Sequence, residues 1–216
     1  MPFARGLLFL LAGATLLACT NFHVLEEGRL YRSGQPEGPQ LTRWIWRYGI
    51  ETVVRLRGGG PGDPDYQASH GPTVATGIDF VHVPLSAVRF PERQALLRLC
   101  DVFDHARYPI LLHCRAGADR TGMVSAIYVL HRTGDLDAAR GQLVLLPYGH
   151  LGWFGMDKAD LVLDMYEPWH GRMTFCEWAR EIYERPEDDE LPFDYVARQR
   201  EAVSRWEPPV LRQPSR

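Results

Sequence analysis

The residues that could do chemistry cluster in one stretch. His113-Cys114-Arg115-Ala116-Gly117-Ala118-Asp119-Arg120-Thr121-Gly122 directly follows the apolar run Ile110-Leu111-Leu112. A cysteine acts as a nucleophile only as its thiolate, so its surroundings must favour the anion. A strand that ends in a tight loop, with Gly117 in the turn and a helix starting behind it, does this. Successive N–H groups and the positive end of the helix dipole converge on whatever negative group sits in the loop. Arg120 adds a planar fork able to hold two oxygens of a phosphoryl group at once, which a lysine could not do. In a chain this rich in arginine the Cys-to-Arg spacing is weak by itself, and the strand, glycine and helix around it give it weight.

These groups need elements to position them. Glu51 to Leu56 reads as a buried strand stopped by Gly58 to Gly62, Ile78 to Val83 as a second stopped by Pro84, and Ile110 to His113 as a third. Between them lie a short amphipathic helix at Leu41 to Tyr48, a helical stretch near Tyr66 to Val74, and a helix from Pro91 to His105. Strands alternating with helices predict an α/β fold: a central, mainly parallel sheet of four to five strands flanked by helices. Gly28 to Pro39 reads as turns. Beyond the third strand the chain is helical, at Thr121 to Arg132, Leu136 to Leu146, Met156 to Trp169 and Thr174 to Glu184. The proline-punctuated stretch 186–216 reads as a poorly ordered polar tail with one helix near Phe193 to Trp206. Ligands in open parallel sheets bind beyond the carboxyl ends of the strands, which brings Arg57, Asp63, Asp65, Ser86 and Arg89 toward the pocket.

Composition narrows the function classes. Of 216 residues, 24 are Lys or Arg and 27 Asp or Glu, a net charge of -3 that gives no electrostatic reason to expect nucleic acid. Lys158 is the only lysine, which excludes a GxxxxGK phosphate loop or a strand lysine of the kinase type. The four cysteines, Cys19, Cys100, Cys114 and Cys176, are too scattered for a disulfide scaffold or a zinc pair. Cys100 and Cys176 lie among apolar residues at helical spacing and read as buried, inert thiols. The N-terminus reads as a targeting segment: one charge at Arg5, then an uncharged Leu-rich run from Gly6 to Ala18, too short to span a membrane. Leu16-Leu17-Ala18-Cys19 resembles the lipobox of bacterial lipoproteins, implying cleavage after residue 18 and lipid attachment at Cys19; an uncleaved anchor is the alternative. Thr20 in place of Asp implies no retention at the inner membrane. The expected organisation is a signal peptide at 1–18, one domain at 19–185 and a tail at 186–216. The expected location is the periplasmic side of a bacterial membrane, most simply the outer one, as a lipid-anchored monomer.

The sequence HCRAGADRTG resembles the signature loop HCxxGxxR[ST]G of the protein tyrosine phosphatase superfamily. A looser likeness to small dual-specificity phosphatases runs from LYRSGQP through VVRLRG to about Glu184. The resemblance implies that Cys114 forms a phosphocysteine, Arg120 binds substrate and transition state, and Thr121 hydrogen-bonds the sulfur to ease its departure. Arg115, Ala116, Gly117, Ala118, Asp119 and Arg120 would cradle the phosphate, and His113 would brace the loop. It implies no cofactor and no metal, and substrates that are phosphorylated proteins, phospholipids or inositol phosphates. The family's general acid usually lies on the loop after the preceding strand, but here that loop reads Pro84-Leu85-Ser86-Ala87-Val88-Arg89, without a carboxylate. Asp119 is the first candidate, since bacterial lipid and tyrosine phosphatases and myotubularin-like enzymes share its place in the loop; alternatively it orients Arg120 or caps the helix. Asp63 or Asp65 is the second candidate, or else simply part of a turn. Arg115 either adds charge for a polyanionic substrate or is merely solvated. Tyr148, Gly149 and His150 form either a loop behind the site or a packed helix terminus, and Trp153 and Phe154 share that ambiguity. A catalytically silent phosphate-binding lipoprotein and a rhodanese-type sulfurtransferase are the competing readings.

Overall fold

The computed structural model describes residues 20–152, 158–187 and 192–206. Five strands form one sheet: β1 (His23–Glu26), β2 (Leu30–Ser33), β3 (Thr52–Arg55), β4 (Asp79–His82) and β5 (Ile110–His113), in the order β1-β2-β5-β3-β4. Only β1 runs antiparallel to its neighbour; β2, β5, β3 and β4 are parallel, as the alternation of strands and helices predicted. The central strand β5 is buried at every residue, which its uninterrupted apolar run requires. Side chains alternate between two cores. Leu30, Val54, Ile110 and Leu112 join the larger one, while Tyr31, Val53 and Leu111 pack with Leu41 and Ile45 on the other face.

The helices are α1 (Gly38–Tyr48), α2 (Pro64–Thr76), α3 (Arg93–His105), α4 (Asp119–Thr133), α5 (Leu136–Arg140), α6 (Lys158–Tyr166), α7 (Phe175–Glu181) and α8 (Pro192–Arg205). Helix α4, buried without a break from Thr121 to Tyr128, runs out of the loop behind β5 and fixes the loop's far end. Among the described residues no helix is long and apolar enough to cross a membrane.

Four expectations are corrected. Leu30 to Ser33, read as part of a turn region, is a fully buried strand paired with β5 from Leu30↔Ile110 to Ser33↔His113. The helix expected to Leu146 stops at Arg140, and the carbonyl of Gln142, two residues on, accepts a hydrogen bond from Arg32 instead. The helix expected near Phe193 to Trp206 is present as α8, but it packs on the domain rather than lying in a poorly ordered tail. Trp169 Nε1 donates to Gln199 at 2.9 Å, and the Tyr195 hydroxyl donates to the Glu184 carbonyl at 2.9 Å. Cys100 and Cys176, read as inert thiols, form a disulfide between α3 and α7, with Cα atoms 6.0 Å apart and 76 residues of separation. Helical spacing showed that both point inward but not that the two helices are neighbours. The signal segment 1–18, Cys19, Trp153 and Phe154 lie outside the described residues.

Candidate active site

The loop Cys114–Ala118 joins β5 to α4, and its shape is fixed from below. Gly117 has φ 74°, a conformation that only glycine adopts readily, and an added Cβ would stand 2.6 Å from the backbone nitrogen of Gly34. Gly34 is equally tight: a Cβ there would meet the Arg115 carbonyl at 3.1 Å. The backbone N–H of Gln35 donates to the Arg115 carbonyl at 3.0 Å, and the side-chain amide of Asn21 donates to the Ala116 carbonyl at 3.0 Å. With these carbonyls turned outward and tied down, the loop's N–H groups are left to face inward. The one that reaches Cys114 belongs to Gly117, 3.2 Å from the sulfur.

Arg32 is the main brace. Its side chain is fully buried; Nη2 donates to the Gly117 carbonyl at 2.9 Å, and Nη1 donates to the Gln142 carbonyl and side chain at 3.2 and 3.1 Å. The guanidinium also lies 3.9 Å from the centre of the Tyr148 ring. Burial pulls its pKa down from the ordinary guanidinium range to about 10. His113, the last residue of β5, is fully buried. Burial above all, with the positive charge of Arg55 and Arg57 nearby, lowers its pKa to about 3, so the ring is neutral.

Cys114 is buried, whereas Arg115 and Ala116 are exposed at the mouth. Asp119, in the first turn of α4, lines a cleft with Arg120, Met123, Ser86, Ala87, Arg89, Lys158 and Ala159. Its Oδ1 lies 2.9 Å from Nδ1 of His150, whose Nε2 lies 2.9 Å from Oδ2 of Asp160. Thr121 is fully buried and its hydroxyl approaches the Ser33 carbonyl at 3.5 Å; the hydrogen bond to sulfur that the resemblance implies is not formed in this arrangement. The Ser86 hydroxyl accepts from the N–H groups of Val88 and Arg89, both at 3.1 Å, so it shapes the loop after β4.

Arg57, Asp63 and Asp65 form a network on the loop after β3, and Arg57 links it to Gln35 by donating to its side-chain oxygen at 3.1 Å. Asp63 caps α2 through the N–H of Asp65 and pairs with the buried Arg55 at 3.4 Å; Arg57 pairs with Asp65 at 2.6 Å. The capping geometry matches the turn reading of Asp63. Sequence reasoning did not single out Arg32, Asn21, Gln35 or Asp160. The one signal for Arg32 was its place within LYRSGQP, part of the stretch that carries the family likeness.

A family model described as "DSP-PTPase phosphatase fused to NAD+ Kinase" matches residues 20–146, more than half of the chain. Among solved structures, the fold resembles the core catalytic domain of the PP-IP phosphatase SIW14 from S. cerevisiae in complex with citrate (23% identity, TM-score 0.51, covering 68% of this chain and 85% of that one). It also resembles P. aeruginosa TpbA (19% identity, TM-score 0.52, covering 86% and 91%). A third similar structure is Tk-PTP in its active form (18% identity, TM-score 0.51, covering 71% and 98%). No curated protein matches the sequence.

Proposed function

The chain belongs to the DSP-PTPase phosphatase family, and from that premise we propose that it hydrolyses phosphate monoesters through a phosphocysteine at Cys114. The observation that carries the reading is the buried Cys114 sulfur at the start of a braced loop, with the Gly117 N–H 3.2 Å away and the N-terminus of α4 behind it. In the first step the thiolate attacks phosphorus, the S–P bond forms and the bond to the leaving oxygen breaks. Arg120 and the loop N–H groups hold the three remaining oxygens, whose charge they match best in the transition state. Asp119, in the cleft beside Arg120, protonates the leaving oxygen. In the second step water attacks the phosphocysteine and gives a proton to Asp119, and the sulfur leaves as thiolate.

The substrate class in this reading is phosphotyrosine, with phosphoserine, phosphothreonine and phosphoinositides as further members. Arg89, Lys158 and the exposed Arg115 give the surroundings of the site the positive charge that a polyanionic phosphoester would use. The same reading makes the protein an exported monomer anchored through lipid on Cys19. The disulfide supports export, since such bonds persist in oxidising compartments. Thr20 accepts a hydrogen bond from the N–H of Gly34, so the chain that follows the anchor packs beside the phosphate loop. Metabolic labelling with a radioactive fatty acid that persists in Cys19→Ser would remove the anchor from this reading.

The deciding experiment is hydrolysis of p-nitrophenyl phosphate and of an alkyl phosphate by the wild type, Cys114→Ser and Asp119→Asn. Vanadate-sensitive activity that is abolished in Cys114→Ser supports the mechanism, and survival of activity in that variant defeats it. Loss of the acid should harm the alkyl phosphate far more than p-nitrophenyl phosphate, whose leaving group needs no proton. Equal losses in Asp119→Asn would make that residue structural.

A further inference from the structure

The side chain of His150 is only 1% exposed, yet both ring nitrogens face a carboxylate oxygen at 2.9 Å: Nδ1 faces Asp119 and Nε2 faces Asp160. Each contact needs one proton between nitrogen and oxygen, so the three side chains share two protons. They are distributed either as an imidazolium between two carboxylates or as a neutral ring beside one protonated carboxyl. In both cases a transferable proton stands next to Asp119, which opens to the cleft at 40% exposure while the ring behind it is sealed from water. The geometry around Asp160 is close-fitting. A Cβ added at Gly152 would stand 2.9 Å from Asp160 Oδ2 and 3.4 Å from His150 Nε2. Among the described residues that line the cleft, the other charged groups are Arg120 on the same helix, Arg89 on the loop after β4 and Lys158 at the start of α6, all of which favour the Asp119 carboxylate once it has given up a proton. Tyr148, on the same loop as His150, turns its ring to Arg32.

We propose that Asp119, His150 and Asp160 form a proton relay, with His150 and Asp160 as positioning residues that reload the acid. The proposal rests on the reading of Asp119 as the general acid. As the bond between phosphorus and the leaving oxygen breaks, the one proton held between Nδ1 of His150 and Asp119 passes through the Asp119 carboxyl to that oxygen, which leaves Asp119 as a carboxylate and Nδ1 without a proton. The ring keeps its Nε2 proton on Asp160. When water attacks the phosphocysteine, its released proton returns to Asp119 and then to Nδ1, which restores the starting distribution. Over one turnover the relay gives one proton to the leaving group and receives one from water.

The test compares wild type, Asp119→Asn, Asp160→Asn and His150→Asn on an alkyl phosphate and on p-nitrophenyl phosphate across pH. Removing the Asp160 carboxylate lets the ring release its proton more readily. The alkaline limb of kcat for the alkyl phosphate should therefore move to lower pH by about one unit. The ratio of alkyl to p-nitrophenyl turnover should fall about tenfold in Asp160→Asn and about a hundredfold in His150→Asn. A limb and a ratio that both stay at their wild-type values in Asp160→Asn, or equal losses on the two substrates, overturn the relay. Equal losses in Asp119→Asn overturn the acid reading and the relay together. A leaving-group-dependent loss in Asp119→Asn with both limb and ratio unmoved in Asp160→Asn overturns the relay alone. Should Asp160→Asn fail to fold, Gly152→Ala displaces the same carboxylate and is read by the same limb and ratio.

Discussion

Replacing Arg32 by methionine separates loop positioning from stability. Burial lowers the guanidinium from its ordinary value to about 10. That difference corresponds to about 3 kcal/mol against folding throughout the neutral range, where Arg32 is charged both folded and unfolded. The sign follows from linkage: only above pH 10 does the unfolded chain hold a proton that the folded one lacks, so stability is recovered only there, as pH rises. Methionine removes this burden but leaves the carbonyls of Gly117 and Gln142 without their Arg32 donor, at about 1–3 kcal/mol each. The two sides nearly cancel, so the melting temperature should move by no more than about 5 °C. Activity should not be spared. The Gly117 carbonyl loses its 2.9 Å anchor, and a displacement of about 1 Å in a catalytic loop costs on the order of a hundredfold in kcat/KM. Calorimetry and p-nitrophenyl phosphate kinetics on the same preparation give both numbers. Near-native kcat/KM in Arg32→Met, or a loss of more than about 5 kcal/mol with normal turnover per folded molecule, would refute the bracing role.

Reducing the Cys100–Cys176 disulfide opens a 76-residue loop in the unfolded chain, worth about 4 kcal/mol on chain entropy; an unchanged urea midpoint with reductant would contradict this. His113 is neutral when folded and titrates near 6.5 when unfolded, so stability should fall as pH drops from 6.5 toward 3 by about 1.4 kcal/mol per pH unit. His113→Asn should lose that component, and a variant with the wild-type slope would refute it. Gly117→Ala combines positive φ with backbone contacts of 2.6 and 2.7 Å to Gly34 and Ser33, so it should lose about a hundredfold in activity as well as stability. Gly134→Ala has positive φ but open space around it, and should cost about 1 kcal/mol with turnover intact. Equal effects of the two glycine changes would show that close packing under the loop is not what matters.

The parts of the molecule legible in the sequence are those written locally. An apolar run of strand length ending in a glycine loop and a helix start located β5, the loop and α4. What stayed hidden depends on contacts between distant segments. Leu30 to Ser33 reads as a turn region because Arg32 and the glycines around it are polar or flexible, and its burial follows from pairing with β5, 80 residues later in register. Asp119 meets His150 across 31 residues, and Cys100 meets Cys176 across 76, distances over which periodicity carries no information. Asp63 shows the same. A carboxylate before proline near a strand end could serve an acid or a turn, and its helix cap and its pairing with the buried Arg55 are contacts that no local pattern indicated.

The measurement closest to the central claim is trapping of the covalent intermediate. Rapid acid quench of the wild-type protein during turnover of an aryl phosphate, followed by peptide mass spectrometry, should find phosphate on Cys114 and on no other residue, and Cys114→Ser should neither turn over nor release phosphate. Turnover without a phosphorylated Cys114 peptide, or release of phosphate by Cys114→Ser, would contradict the account.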